Sequence, residues 1–485
     1  MMKREEIKAV YNRGPEAVID LVEQLFRIIG EQQAQIADLT ARVKELEDRL
    51  ASDSHNSSKP PSSDLWKKQT QSLRQPSGKK PGAQAGHAGH TLQPVETPDQ
   101  VIIHPLVQCP VCGVELSQVP AVEYECRQVF DLPPVKVEVM EHRVETKSCP
   151  ECGASSTGDF PPGVTNLVQY GAGIKGLAVY LMNYHLVPYR RTRQMLEDLL
   201  GQPVAEGTLQ AALAQCGDEL IETEARIKTG VQQSRQAHFD ETGLYIDGKR
   251  QWLHVASTAQ LTHYAPHAKR GHLATDDIGI LPGFRGRAMH DGYRSYLSYT
   301  CEHALCNAHH LRELTFVEEQ SGQAWAGTLK SLLTDIKRAV EAARADGGSQ
   351  LDPGQITAFE QRYEEILQQG LALESSSPAV ATGRRGPKKQ TKAKNLLDRL
   401  SRYRRETLAF MYDFDVAFDN NLAERDLRML KVQQKISGCF RTTDGATTFC
   451  RIRSYISTIR KQGHNVFTAL KHVFAGHPIV PVLSG

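Results

Sequence analysis

The sequence predicts a multidomain α/β protein, and three patterns along the chain support that prediction. A heptad repeat of apolar residues covers residues 15–51, two C-P-x-C-G motifs stand at residues 109–113 and 149–153, and period-two alternation typical of strands begins at His238, between long helical stretches. At roughly 100–200 residues per domain, a chain of 485 residues has room for about three or four domains.

Composition places the chain among globular proteins. Hydrophobic residues make up 40% of it and charged residues 24%, which is far from the composition of a disordered chain. No apolar run is long enough to span a bilayer, and the N-terminus lacks the apolar stretch of a secretory signal. We therefore expect a cytosolic protein with no membrane partner.

Charge is balanced over the whole chain but not locally. The net charge is only +2, yet residues 59–80 hold six basic residues and one acid, and residues 384–405 hold ten basic residues and one acid. Such runs are solvated tails or contacts to a polyanion. Two of them in one chain favour nucleic acid, with Lys388 and Lys389 in the second run as candidate DNA contacts.

Residues 1–52 are predicted to form a coiled coil. Nine of its ten seam positions are apolar: Val22, Ile29, Ile36, Val43 and Leu50 in one row, and Val18, Leu25, Gln32, Leu39 and Leu46 in the other. β-Branched residues in the first row and leucine in the second favour a parallel homodimer. The alternative is a helix packed on its own domain. Residues 53–100, rich in Ser, Pro, Gly and Lys, are expected to form a flexible basic linker.

Four of the ten cysteines form two matching pairs, Cys109 with Cys112 and Cys149 with Cys152. Two thiolates at this spacing reach one tetrahedral Zn²⁺, and the glycine that follows permits the tight turn. The pairs predict one structural zinc ion in a module over residues 101–165, in which the alternating residues 135–144 can form strands. Buried reduced thiols are the alternative.

Residues 166–232 are predicted to be helical. A helix from Tyr189 to Leu200 is broken by Gly201-Gln202-Pro203, and a second helix starts after Thr208. Two helices around a short turn resemble a helix-turn-helix, which makes the first helix's basic residues candidate DNA contacts. These residues are Arg190, Arg191 and Arg193. A plain helical hairpin remains the alternative.

Residues 233–317 are predicted to form a sheet domain. Its predicted strands cover residues 238–246, 252–257, 262–265, 286–290 and 303–306, with a helical stretch after the third strand and a helix from His309. Three strands, a helix, two strands and a helix is the order expected of a ribonuclease H-like domain. A helical insertion over residues 318–412 with a basic loop, a catalytic helix region over 413–450 and a helical tail over 451–485 are expected to follow.

Three acids in this region are candidates for metal binding. Asp240 lies within the first strand, Asp291 ends another strand before Gly292, and Glu424 stands at the start of a helix. Two Mg²⁺ ions about 4 Å apart can drive phosphodiester cleavage, and carboxylate oxygens are the ligands that Mg²⁺ prefers. Any one of these acids alone is best interpreted as a helix-cap or turn residue. The prediction therefore depends on the three acids occurring together with the predicted order of strands.

Other residues are candidates for supporting roles. Arg428, Lys431 and Lys435 follow Glu424 at helical spacings and form a basic stripe that can hold DNA phosphates, with a solvated face as the alternative. A helix that packs on the sheet is expected to point His309 or Arg312 towards the acids. A less favoured interpretation joins four residues in a second zinc site: Cys301, Cys306, His309 and His310.

The chain resembles, nearly end to end, the insertion-sequence-66 family of bacterial transposases. The resemblance rests on the paired knuckles and on five motifs, at residues 54–64 (SHNSSKPPSSD), 238–242 (HFDET), 291–296 (DGYRSY), 306–314 (CNAHHLREL) and 420–428 (NNLAERDLR). It implies an Asp-Asp-Glu catalytic domain with Asp240, Asp291 and Glu424 as the metal-binding triad. The 133 positions from Asp291 to Glu424 would then hold the family's helical insertion.

The resemblance also implies a reaction and its partners. The protein would cut the ends of its own element and join the 3′-hydroxyl ends to target DNA, using two Mg²⁺ ions that Mn²⁺ can replace. Accessory proteins of the same element and a location at the bacterial nucleoid are further implications. Two alternatives are a non-catalytic zinc-containing DNA-binding regulator, which would be expected to have lost an acid, and a plain nuclease, which would not need the coiled coil and zinc module.

Overall fold

The computed structural model describes residues 4–53, 55–57, 92–133, 135–376 and 390–483. Most of the predicted basic linker lies outside these residues, as do Lys388 and Lys389. The chain forms two compact units. The larger comprises Met1–Gln71, Phe160–Met195 and Val204–Gly485, and the smaller comprises Ser72–Asp159 and Leu196–Pro203. Within the described ranges, no helix has the length and apolar character needed to cross a membrane.

The N-terminal region consists of α1 (Arg4–Tyr11) and the long helix α2 (Pro15–Ala51). Helix α2 has the extent that the heptad pattern predicts, and Pro15 suits its first turn because that turn needs no backbone donor. The apolar seam faces solvent along the helix: Leu39 is 60% exposed and Leu46 is 49% exposed. Dimerisation through this seam stays a prediction.

The end of α2 is bound to the helical part of the same unit. The buried Asn56 donates from Nδ2 to the carbonyl of Ala51 at 3.0 Å. His55 Nε2 lies 3.4 Å from Glu319 Oε1, and Lys392 Nζ lies 3.9 Å from Asp48 Oδ2. The first part of the 54–64 motif therefore ends the long helix and anchors it.

The smaller unit contains a two-stranded antiparallel sheet of β1 (Thr146–Ser148) and β2 (Ser155–Thr157). The second cysteine knuckle forms the turn between these strands. The expectation of strands over residues 135–144 is wrong, because in the described structure no segment pairs with them. Alternation predicts an extended chain, but a strand also needs a neighbour to accept its hydrogen bonds.

The helices that precede the main sheet are α3 (Ala172–Val179), α4 (Tyr189–Leu200), α5 (Glu206–Glu219) and α6 (Ile221–Gln233). A π-helical turn, Tyr180–Tyr184, continues α3. A short break separates α4 from α5, at the position that the sequence predicts. DNA binding by this pair of helices stays a prediction.

The main sheet has five strands: β3 (Gln236–Ile246), β4 (Lys249–Ser257), β5 (Thr262–His267), β6 (Arg287–His290) and β7 (Glu302–Leu305). Helix α7 (His272–Ile278) lies between β5 and β6 in sequence. The spatial order is β5-β4-β3-β6-β7; the first three strands are antiparallel, and β6 and β7 run parallel to β3. The predicted order of strands and helices is confirmed.

The pairing of β3 with β6 is short. It covers only three residue pairs, from Gln236 with Arg287 to His238 with Met289. Beyond His238, strand β3 continues for eight residues with no β6 neighbour. On the β6 side of this part of β3, Phe440 N donates to the carbonyl of Tyr245 at 3.0 Å and Asp247 N donates to that of Phe440 at 2.8 Å.

Helices α8 (Asn307–Ser321), α9 (Ala324–Ala345), α10 (Pro353–Ser376), α11 (Lys392–Arg402), α12 (Arg404–Thr407) and α13 (Ala409–Tyr412) follow the sheet. Their apolar faces share one core, which includes Trp325, Leu333, Tyr363, Leu397 and Phe410. Apolar residues three and four apart on each helix produce these faces.

The last helices are α14 (Asn421–Ser437), α15 (Thr443–Lys461) and α16 (Val466–Phe474). Leu427 of α14 and Cys450 of α15 pack in one core with Leu244 and Leu253 of the sheet. Asp426 reinforces this packing, because its Oδ2 lies 3.0 Å from Lys461 Nζ and accepts from Thr262 Oγ1 at 3.2 Å.

We expect the exposed seam of α2 to form the dimer contact. Leu39→Lys with Leu46→Lys should yield monomer, because each lysine would face its like-charged mate in a parallel coiled coil. Light scattering measures the mass. The control is Gln33→Lys with Ala34→Lys, which adds the same charge off the seam and should leave the dimer intact. Equal masses for the seam variant and the parent would exclude α2 as the contact.

Candidate active site and metal centres

The sheet aligns the first two acids. Asp240 stands two residues beyond His238 on β3, and Asp291 stands two residues beyond Met289, the partner of His238 on β6. Since β3 and β6 are parallel, the two acids occupy equivalent places on neighbouring strands, just beyond the last residue pair between them. Both side chains are half-buried.

The third acid is positioned by a buried asparagine in front of α14. Asn420 Nδ2 donates to the carbonyl of Phe239 at 2.9 Å, and its Oδ1 lies 2.9 Å from His238 Nδ1. Its backbone N–H donates to Cys306 Sγ at 3.1 Å. The start of α14 is thus held against β3 beside Asp240, and Glu424 stands one turn further along the helix.

The three acids interact electrostatically. Burial raises the pKa of Asp240 well above its usual value, and the negative charges of Glu241, Asp291 and Glu424 raise it further. A hydrogen bond from the backbone N–H of Glu241 opposes this rise. Carboxylates that repel one another in a partly desolvated place are stabilised by a divalent cation.

The oxygen atoms present fit Mg²⁺. In the described structure, Glu424 Oε1 is shielded from solvent and has no hydrogen-bond partner. Asp240 Oδ1 and Asp291 Oδ1 accept only local backbone N–H groups, from Glu241 at 2.8 Å and from Tyr293 at 2.8 Å. Hard carboxylate oxygens without a cationic side-chain partner suit a hard divalent ion.

Two neighbouring acids are engaged in a different way. Glu241 Oε1 lies 2.7 Å from Arg270 Nη2, and its Oε2 accepts from the hydroxyl of Tyr296. Asp426 has the Lys461 partner described above. Since both carboxylates already have a cationic partner, they are poorer candidates for metal ligands than the three predicted acids.

Arg270 belongs to a cation–aromatic cluster that sequence reasoning missed. Its guanidinium carbon lies 4.2 Å from the ring centre of Tyr293 and 4.9 Å from that of Trp252. Arg250 contacts the same tryptophan ring at 4.8 Å. Nothing in the spacing of these residues signals the cluster, because it joins β4, the segment after β5 and the segment after β6.

The structure places His309 beside the acids. His309 Nε2 lies 4.0 Å from Glu424 Oε1. Arg312 stands three residues further on α8, half-buried, and makes no ion pair among the described residues. Of the two side chains expected to point towards the acids, His309 is the one that the structure brings there.

The four-residue zinc interpretation is wrong. His310 Nδ1 lies 3.1 Å from Asn307 Oδ1 in a buried place, and Cys301 Sγ is 4.0 Å from His303 Nε2. In the described part of the chain, a different set, Cys306, His309 and Glu424, has ligand atoms that all lie within 4.8 Å of one another. His309 and His310 are consecutive on a helix, so their side chains cannot share one direction.

The basic stripe on α14 divides into two parts. Arg428 and Lys435 are exposed. Lys431 Nζ donates to the carbonyl of Gly243 at 2.9 Å, on the part of β3 that pairs with β4 but has no β6 neighbour. Arg190, Arg191 and Arg193 are exposed on α4.

The two cysteine knuckles have the same local geometry. In the first, Gly113 N donates to the carbonyl of Cys109 at 2.9 Å; in the second, Gly153 N donates to that of Cys149 at 2.9 Å. Both glycines have positive φ angles, 77° and 74°. Only glycine adopts such angles without strain, which explains its place in both motifs.

The knuckles favour thiolates. Backbone N–H groups of Cys112 and Val111 lower the pKa of Cys109, and those of Cys152 and Glu151 lower the pKa of Cys149. Within the described residues, no three of the four sulfur atoms lie within 4.8 Å of one another. Each knuckle therefore has its own local geometry, and the two cysteine pairs of the predicted zinc site lie apart.

Comparison with protein families gives three matches. A model described as the transposase IS66 family matches residues 168–448, and a model of the zinc-finger binding domain of transposase IS66 matches residues 108–153. A family of unknown function matches residues 10–93. No curated protein matches the chain.

We expect the zinc-finger domain to bind its ion through both knuckles. A variant with Cys109, Cys112, Cys149 and Cys152 changed to serine should bind one Zn²⁺ per chain fewer than the parent, because serine is a poor zinc ligand. Metal analysis of the purified proteins measures this. Cys126→Ser with Cys439→Ser changes two exposed cysteines outside the knuckles and should keep the parent's zinc. Equal zinc in the four-serine variant would refute the assignment.

Proposed function

The chain belongs to the IS66 family of transposases, and we propose that it cuts the ends of its own insertion sequence and joins their 3′-hydroxyl groups to target DNA. The observation that carries the proposal is the position of Asp240, whose carboxylate is close enough to Asp291 and Glu424 for the charges of both to act on it. Burial and the negative charges of Glu241, Asp291 and Glu424 raise the pKa of Asp240, and Glu424 has a shielded oxygen with no hydrogen-bond partner among the described residues.

We propose that the catalytic domain is ribonuclease H-like. Three antiparallel strands followed by two parallel strands support this assignment, as does the placement of two acids at the parallel pair. The helices between Glu318 and Tyr412 would be the insertion that separates the second acid from the third. The other proposed segments are the coiled coil, the basic linker, the zinc module, the helix-turn-helix-like pair and the C-terminal tail.

The three acids would hold two Mg²⁺ ions. The chemistry supplied by those ions when bound, or by Mn²⁺ in their place, is activation of the attacking oxygen and stabilisation of the leaving one. Asp240 and Asp291 contribute from rigid neighbouring strands, and Glu424 closes the site from the helix. Asn420 and His238 keep that helix in register with β3, so the three carboxylates stay aligned.

The same region would hold DNA. Asp240 and Asp291 are partly exposed, and Arg428 and Lys435 are exposed on the helix that carries Glu424. Lys431 is committed to the carbonyl of Gly243 and would act chiefly by fixing the helix. Exposed arginines on α4 and the zinc module would add contacts to the element ends.

A dimer through α2 would bring two active sites together. A transposase must pair two distant element ends, and each protomer would then act on one of them. The end of α2 is anchored to the helical part of the same unit through His55 and Lys392. A dimer formed through α2 would therefore fix the positions of these helices as well, and would not be joined to them by a free linker.

We expect Asp240→Asn, Asp291→Asn and Glu424→Gln each to abolish cleavage and strand transfer while DNA binding survives, because each change removes a metal ligand and little volume. The assay uses end-containing DNA, Mg²⁺ or Mn²⁺, purified protein and any accessory proteins. Ca²⁺ should permit binding without turnover.

Neighbouring acids provide the controls for this experiment. Asp247→Asn, in the exposed β3–β4 turn, should keep full activity. Asp426→Asn should lower stability, since it leaves Lys461 buried without its carboxylate. Full activity in Asp240→Asn, or loss in Asp247→Asn with normal activity in Glu424→Gln, would show that the triad is misplaced.

We expect Arg428→Gln with Lys435→Gln to weaken DNA binding at low salt. Losing two phosphate contacts should reduce the slope of log affinity against log salt by about 1.8. The control is Arg27→Gln with Lys44→Gln, which removes the same charge from exposed positions of α2 and should leave the slope unchanged. A parent-like slope for the α14 variant would make that stripe a solvated face.

A further inference from the structure

A group of three metal-binding side chains overlaps the acid cluster but has a different chemistry. Cys306, His309 and Glu424 each offer one ligand atom, and these atoms lie within 4.8 Å of one another. They supply sulfur, nitrogen and oxygen. The proposed magnesium ligands supply oxygen alone.

The three residues are held rigidly. Cys306 is buried directly after the last residue of β7, and α8 begins at the next residue. His309 lies in the first turn of α8. Glu424 comes from α14. Asn307 N donates to the carbonyl of Phe418 at 3.0 Å, so the starts of the two helices are joined by a backbone hydrogen bond next to the group.

Two polar atoms in the group lack partners. Glu424 Oε1 and His309 Nδ1 are both shielded from solvent without a hydrogen bond in the described structure. The other imidazole nitrogen, Nε2, is 4.0 Å from Glu424 Oε1, which is too far for a hydrogen bond. A buried polar atom left unpaired costs about 1–3 kcal/mol, so such a pair requires an explanation.

The donor set identifies the class of ion. Thiolate and imidazole ligands select zinc and similar transition ions, whereas Mg²⁺ prefers oxygen. In a tetrahedral zinc site with bonds of roughly 2.0–2.3 Å, ligand atoms are separated by roughly 3.3–3.7 Å. Small side-chain rotations would bring the three atoms to such distances. The N–H of Asn420 that already bonds Cys306 Sγ is the kind of outer contact that stabilises a bound thiolate.

We propose that Cys306, His309 and Glu424 form a second zinc site, separate from the four-cysteine knuckles. On binding, the thiol of Cys306 loses its proton to solvent, and the three ligands leave a fourth position open for water. Glu424 belongs to both this site and the proposed magnesium site. Zinc here therefore withdraws a carboxylate from Mg²⁺, and this consequence rests on the proposed function.

The binding test uses the full chain with its knuckle site already filled. Further Zn²⁺ is titrated in competition with a chromophoric chelator. The parent should bind one more equivalent, and Cys306→Ser and His309→Ala should each weaken this binding at least tenfold. Cys301→Ser, which changes another buried thiol outside the group, should bind as the parent does.

Folding is checked separately from binding. Thermal unfolding of each variant is followed without added zinc, and His309→Ala removes a partly exposed side chain and so disturbs the core least. A parent that binds no further zinc, or a folded His309→Ala variant that binds it with parental affinity, would overturn the proposal.

A second measurement separates this proposal from the proposed function. At fixed Mg²⁺, added Zn²⁺ should inhibit DNA cleavage by the parent and by Cys301→Ser, and Cys306→Ser should need at least tenfold more zinc for the same inhibition. A chain that binds the further zinc but never cleaves DNA would refute the transposase activity and leave the zinc site standing. A chain that cleaves DNA but binds no second zinc ion would refute the zinc site and leave the transposase activity standing.

Discussion

One buried asparagine side chain joins the sheet to the helix that carries the third acid. Asn420 bonds the carbonyl of Phe239, the ring of His238 and, through its backbone, the sulfur of Cys306. These bonds connect β3, the end of β7 and the start of α14 at one point. Separating any one of the three elements would leave a buried polar group unpaired, which costs about 1–3 kcal/mol. The acids that these elements carry are therefore held in fixed positions.

This rigidity is what makes the electrostatic repulsion possible. Carboxylates on mobile loops would move apart, but Asp240 and Asp291 are attached to paired parallel strands and Glu424 to an anchored helix. The fold thus contains an unfavourable concentration of negative charge that a cation relieves. Glu241 adds to this charge, and burial and the charge of Asp291 raise its own pKa, although Arg270 pairs with it. Asp426, two residues from Glu424, pairs with Lys461.

Glu424 is shared by the two proposed metal sites. On one side are the carboxylates of the strands, and on the other are the sulfur and imidazole of Cys306 and His309. If both proposed sites form, the identity of the metal bound by Glu424 would depend on which ions are present. The helix start that creates this arrangement is the one that Asn420 holds in place.

The sequence by itself determined the local elements. The heptad pattern identified α2, the glycines after each cysteine pair identified the knuckle turns, and alternation with turn residues identified the five strands in order, because these signals depend on neighbouring residues. The three candidate acids were also selected from the sequence, through their motifs and strand ends, and their role as a metal-binding triad is a proposal. Alternation over residues 135–144 failed, because pairing requires a partner that sequence periodicity does not specify.

Only the tertiary structure decided the rest. The short pairing of β3 with β6, the cluster around Arg270 and the bonds of Asn420 join residues that are far apart in the chain, and no local pattern encodes them. The choice of His309 over His310 as the neighbour of Glu424 follows from how α8 is rotated against α14. That rotation is set by packing over the whole helix, so two adjacent histidines with the same chemistry acquired different surroundings.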